Sequence, residues 1–281
     1  MVKSPAQTTS VDAWQKVWSV AVLVAAIVLC WIAYGFYQPK ILEEFGWVTW
    51  AHWLGIGQGL LGAIVEPVVG QVSDRWMQRY GSRLPQIALG MTLAGLLFIV
   101  IACLLQIQLS ATIAWVIPVL MTLWVIAMII FRGPAIALIR QLAPTAELPH
   151  ANAFLTFVFG FVAALDPLLI QLFQVLGKVG TFIVGAVILL IAALCLQRSR
   201  LQLPKVSPSP DPVVALPLKR SLLIFSVGGM AGIESNLALR ILPDQIQSFL
   251  PIGPHLLLAA IFMISAFTAV PLEASVPQRG S

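Results

Sequence analysis

Eight apolar runs, each long enough to cross a membrane, constrain this chain more than any other feature. They fall at about Val17–Gln38, Trp50–Gly70, Gln86–Ile107, Thr112–Arg132, Ala151–Phe173, Gly180–Leu196, Leu218–Leu242 and Ile252–Val270, the fourth continuing as helix toward Arg140. A bilayer core takes roughly 20 apolar residues per helix. Inside it each backbone N–H and C=O must be satisfied within the segment, which selects helix. Of the 281 residues, 59% are hydrophobic and only 10% charged, against roughly 25% charged in a soluble domain. That is too little polar surface to face water. The expected fold class is an all-α, multi-pass integral membrane protein. The polar lead from Met1 to Lys16 precedes a run too long for the core of a cleavable signal, so the first run is expected to be a true span.

The cations give the spans a direction. With the N-terminus inside, the inner segments hold Lys3, Lys16, Arg75, Arg79, Arg83, Arg132, Arg140, Arg198, Arg200, Lys205, Lys219, Arg220 and Arg279. The outer ones hold only Lys40, Lys178 and Arg240, the remaining three of sixteen. Positive charge collects on the cytoplasmic side of short loops, so a cytoplasmic N-terminus in a plasma or inner membrane is expected. The same distribution argues against nucleic acid as the reason for the net charge of +5. Cys30, Cys103 and Cys195 lie far apart inside apolar runs, and His52, His150 and His255 are scattered. No metal site or cofactor is expected from them.

Six spans fill residues 1–196. A polar linker, 197–217, follows, carrying Pro204, Pro208, Pro210 and Pro212, a composition suited to an extended connection. Two more spans occupy 218–281. Six spans and an inside linker form the half-unit of a transporter class built from inverted three-helix repeats. An internal echo agrees: Glu66-Pro67 in the second span and Asp166-Pro167 in the fifth each lie about sixteen residues into runs of opposite direction.

Between the second and third runs stand Gly70, Ser73, Asp74, Arg75, Arg79, Tyr80, Gly81, Arg83 and Pro85. This basic stretch resembles the loop signature of the major facilitator superfamily. Its spacing is closest to the sucrose-transporter-like, glycoside–cation symporter branch, with Ser82 and Leu84 where that branch has arginines. A weaker similarity lies at Arg132-Gly133-Pro134, where Ile136 and Gln141 replace the branch's arginine and acid. The resemblance implies two six-helix bundles. This chain is then expected to hold the complete first bundle and about two helices of the second, shortened at its C-terminus.

The resemblance also implies roles. Asp74, with Arg75, Arg83 and Gly70, is expected to gate the cytoplasmic side, since a carboxylate at a helix end biases one conformer. The first, fourth and seventh helices are expected to line a central cavity. Tyr34 and Tyr37 lie on the first and Arg132 on the fourth. On the seventh lie Glu234, a candidate for proton coupling, and Asn236. Trp31, Tyr34 and Tyr37 recur every three residues, a stripe that could stack on a sugar or another planar ligand but more often serves core packing or an interfacial belt. Glu66 and Asp166 are candidates for gating or substrate contact at the seam between bundles, and Arg132 for an anionic substrate or a pairing with Asp166. Gly55, Gly59 and Gly62 suggest a close-packing face on the second span.

The leading expectation is a secondary active transporter. It moves a small polar solute, with sugar-like molecules among the candidates, by alternating access across the bilayer, coupled to H+. The chain has no phosphate-binding loop of the G-x-x-x-x-G-K-[ST] type, and no convergent cluster of catalytic side chains that indicates an enzyme. Two alternatives stay open: a membrane binding or assembly protein on the same scaffold, such as one that delivers pigment, and an inactive truncated transporter.

Overall fold

A computed structural model describes residues 10–107, 113–139 and 147–199, together with scattered helical positions between 219 and 267. The described residues form six helices and no strand: α1 Ser10–Glu44, α2 Val48–Tyr80, α3 Leu84–Leu104, α4 Val116–Ala137, α5 Leu148–Ala164 and α6 Asp166–Ser199. Five of them, all but α5, are long and apolar enough to cross a membrane; α5 is apolar but shorter. The linker and most of the last two expected spans lie outside the described residues.

Local chemistry explains the boundaries. α2 does not stop at Gly70 but runs on to Tyr80, so most of the basic stretch is helix rather than loop. Nothing between Gln71 and Tyr80 breaks a helix, and a polar turn is free to continue once it leaves the apolar layer. It ends at Gly81, whose φ of 67° is left-handed and whose N–H bonds the Met77 carbonyl. Pro85 then starts α3 in its first turn, where no N–H is missed.

The fifth expected span is interrupted. Pro167 has no N–H to give and its ring presses on the preceding turn, so the helix breaks at Leu165 and resumes as α6. A second break lies inside α6 at Gly177, with φ 70° and ψ 173°. Thr181 Oγ lies 3.4 Å from the Phe173 carbonyl. Eight residues of straight helix span about 12 Å, so the chain folds back at Gly177.

Residue contacts then give each traverse its direction. Trp18 packs on Phe154 at one end of α1, and the Tyr37 hydroxyl donates to the Phe173 carbonyl near the other. Residues 148–176 therefore run parallel to α1 as one crossing. Residues 178–199 return antiparallel to it, with Phe182 against Tyr37 and Gly185 against Cys30. α2 runs parallel to α4, with Tyr34 bonded to both Gln58 and Met121 and, farther along, Glu66 bonded to Arg132. α3 is antiparallel to both α4 and the return half of α6: Gly90 meets Phe131, and Phe98 meets Trp124 and Phe182. Six traverses thus alternate in direction, with α5 and the start of α6 making the fifth.

The main packing pairs are α3–α6, α3–α4, α1–α6, α1–α5, α2–α4 and α1–α4. Exchanging α1 with α4, α2 with α5 and α3 with α6 returns the same six pairs. The lesser α1–α2 contact has no counterpart of its size. Close approach occurs at Gly90, Gly95 and Gly185, where an added Cβ would lie 2.8 to 3.2 Å from a neighbouring side chain. Of the glycine face expected of α2, Gly55 has nothing within 4 Å of an added Cβ and Gly62 meets Ile129 at an ordinary 3.8 Å. α2 is the least enclosed traverse, with 12% of its apolar window buried against 44–61% in the other four membrane-length helices.

Candidate functional site

Near the Gly81 end of the bundle, α2, α4 and the first turns of α5 border an open cavity of about 820 Å³. Its charged lining is Glu66, Asp74, Arg83 and Arg132. Glu66 and Arg132 face each other across the α2–α4 seam, Arg132 Nη2 donating to Glu66 Oε1 at 2.5 Å. One turn past Gly70, Arg83 Nη2 donates to Asp74 Oδ1 at 2.6 Å, tying the start of α3 to the end of α2. Gly70 lines the wall between these pairs with open space above it. Five of the eleven residues expected to act in substrate handling or gating thus meet at one place: Gly70, Glu66, Asp74, Arg83 and Arg132.

The electrostatics favour pairs that can be broken. The Glu66 and Arg132 side chains are 50% and 42% exposed. A pair that wet is worth roughly 0–1 kcal/mol, whereas breaking a fully buried one costs roughly 3–5 kcal/mol. Beneath the pairs, the Ser73 hydroxyl and Arg83 Nε are buried without a hydrogen-bond partner. Gln86, also buried, donates to the Ile130 carbonyl while its own oxygen is unpartnered.

The remaining expected residues lie elsewhere. Tyr34 is buried on α1, its ring stacked at 4.4 Å on Trp124, which stacks in turn at 4.5 Å on Phe98. The Tyr34 hydroxyl accepts from Gln58 Nε2 at 2.8 Å and reaches the Met121 carbonyl at 3.4 Å. Tyr37 is held by its 2.6 Å bond to the Phe173 carbonyl. Both tyrosines serve the core, and the aromatic stripe of α1 is packing there. Arg75 is exposed on the face of α2 away from the cavity. Asp166 is half-buried as the first residue of α6, before Pro167. Arg132 pairs with Glu66 on the neighbouring helix. Glu234 and Asn236 lie outside the described residues.

Gln58 and Trp124 carry the buried network without having been singled out by sequence. A lone glutamine in a membrane-length run was the available signal, because an amide in hydrocarbon needs a partner. No family model, curated protein or solved structure compared with this chain matches it.

Proposed function

We propose that this chain works as a secondary carrier, moving a small polar solute by alternating access with proton coupling. The observation that carries the reading is the Glu66–Arg132 pair on the wall of an 820 Å³ cavity at one end of a six-traverse bundle. A pair worth roughly 0–1 kcal/mol is small against the few kcal/mol separating two conformers. A solute bringing its own hydroxyl or carboxylate groups can exchange for it and shift the balance.

The packing pattern supports the same reading. Exchange of α1–α3 with α4–α6 preserves the main pairings and reverses each direction, as expected of inverted three-helix repeats. In this reading the basic end of α2 faces the cytoplasm, and the layout is that of a major-facilitator bundle. Glu234 keeps its assignment as the coupling carboxylate on the seventh span. Changing Glu234→Gln is expected to abolish proton-driven accumulation and leave counterflow exchange intact. Undiminished uphill uptake would remove Glu234 from that role.

The test is entry into proteoliposomes of the full chain under an inward proton gradient. Candidate mono- and disaccharides are offered first and vesicle contents assayed by mass spectrometry. Saturable accumulation that Arg132→Gln removes is the expected result. Entry no faster than into protein-free vesicles, for each solute offered, contradicts a sugar carrier.

A further inference from the structure

The turns of α2 that line the cavity have a reverse face. Ile64, Val68 and Val72 lie on it, 70%, 56% and 36% exposed. Seven residues along a helix return to within about 20° of the same face and advance about 10 Å. Arg75 therefore continues the stripe from Val68, and Arg79 from Val72, both exposed. Tyr80, 58% exposed, closes the last turn, with the Arg79 guanidinium 5.7 Å from its ring centre. No described carboxylate neutralises Arg75 or Arg79. The nearest acid along the chain, Asp74, points to the cavity side and is taken by Arg83.

An apolar stripe that ends in two uncompensated guanidinium groups, with an aromatic ring at the boundary, matches the chemistry of a lipid. Acyl chains lie along valines and isoleucine, a phosphate accepts from the planar guanidinium fork, and tyrosine sits at headgroup depth. Net charge then discriminates between headgroups. A zwitterionic lipid returns a cation next to two arginines, whereas an anionic lipid offsets them. We propose that this face of α2 binds an anionic phospholipid through Arg75 and Arg79. The carrier reading does not assign this site, which lies across α2 from the cavity.

The experiment uses the full chain, purified in mild detergent, delipidated and offered equimolar phosphatidylglycerol and phosphatidylcholine with identical acyl chains. Native mass spectrometry counts the retained lipid. Phosphatidylglycerol is expected to predominate, and Arg75→Gln with Arg79→Gln to reduce the excess by roughly fivefold per arginine. Lys40→Gln with Lys178→Gln removes two cations at the opposite end and is expected to leave the ratio unchanged. Equal retention by the wild-type protein overturns the proposal whether or not the variants fold. An excess that survives in the double arginine variant, or that falls equally in the lysine control, overturns it as well.

Discussion

Gln58 and Glu66 stand about 12 Å apart along one helix, the first bonded to Tyr34 on α1 and the second to Arg132 on α4, and the protein treats them in opposite ways. Around Gln58 the polar groups are neutral and enclosed: Tyr34 is 2% exposed, Trp124 0% and Gln58 8%. Three stacked rings from α1, α3 and α4 leave no room beside them. Around Glu66 the groups are charged and half wet, and the helices stand apart over a cavity. The first region gains from staying as it is, because an opened amide or hydroxyl in an apolar layer costs roughly 1–3 kcal/mol. The second loses little by changing. A helix carrying one of each is clamped at one level and free to part from its neighbour at another.

Mutations can break or sharpen this contrast. The largest effect is expected from Trp124→Ala, which removes the middle ring of the stack and leaves a cavity, at about 3–5 kcal/mol. A steep fall in the thermal unfolding midpoint in detergent is the readout, and an unchanged midpoint would deny the cluster its clamping role. Next comes Gly90→Ala. Its new Cβ would lie 2.8 Å from Phe131 Cβ and 3.2 Å from the Ala127 carbonyl, so α3 and α4 must shift, at about 1–3 kcal/mol. The same substitution on the cavity wall, Gly70→Ala, meets nothing within 4 Å. There the better helix propensity of alanine is expected to win, stabilising by up to about 1 kcal/mol. Equal losses at the two glycines would erase the distinction between a packed level and an open one.

Much of the bundle was legible in the sequence because it depends on local patterns. Apolar length placed the six described traverses, and the candidate acids and bases included all four of the cavity's charged residues; proline alone did not mark the break in the fifth, since Pro67 lies inside an unbroken α2 while Pro167 follows the break. What escaped depends on register between distant segments. Arg132 meets Glu66 because α2 and α4 run parallel at a particular offset, and no window of sequence contains that offset. The closest approaches fall at Gly90, Gly95 and Gly185, tighter than at Gly55 or Gly62 of α2, for the same reason: a glycine's value depends on what faces it. The α1 stripe of Trp31, Tyr34 and Tyr37 fits core packing or an interfacial belt more often than ligand stacking, and Trp124 and Phe173 stand against it. The basic stretch after Gly70 reads as a loop only if charge ends a helix, whereas charge marks only the end of the apolar layer and α2 continues to Tyr80.

The most direct test of a fixed level beside a movable one is thiol accessibility at the cavity wall. Ile136, 52% exposed there, is changed to cysteine after Cys103 and Cys195, both exposed, are replaced by serine. A membrane-impermeant maleimide is then applied to sealed vesicles. Removing the charge with Glu66→Gln is expected to raise the labelling rate about fivefold, the equivalent of roughly 1 kcal/mol for a half-exposed pair, while Tyr34→Phe leaves the rate unchanged. Identical rates with and without the Glu66 carboxylate, or a shift as large from Tyr34→Phe, would contradict the account.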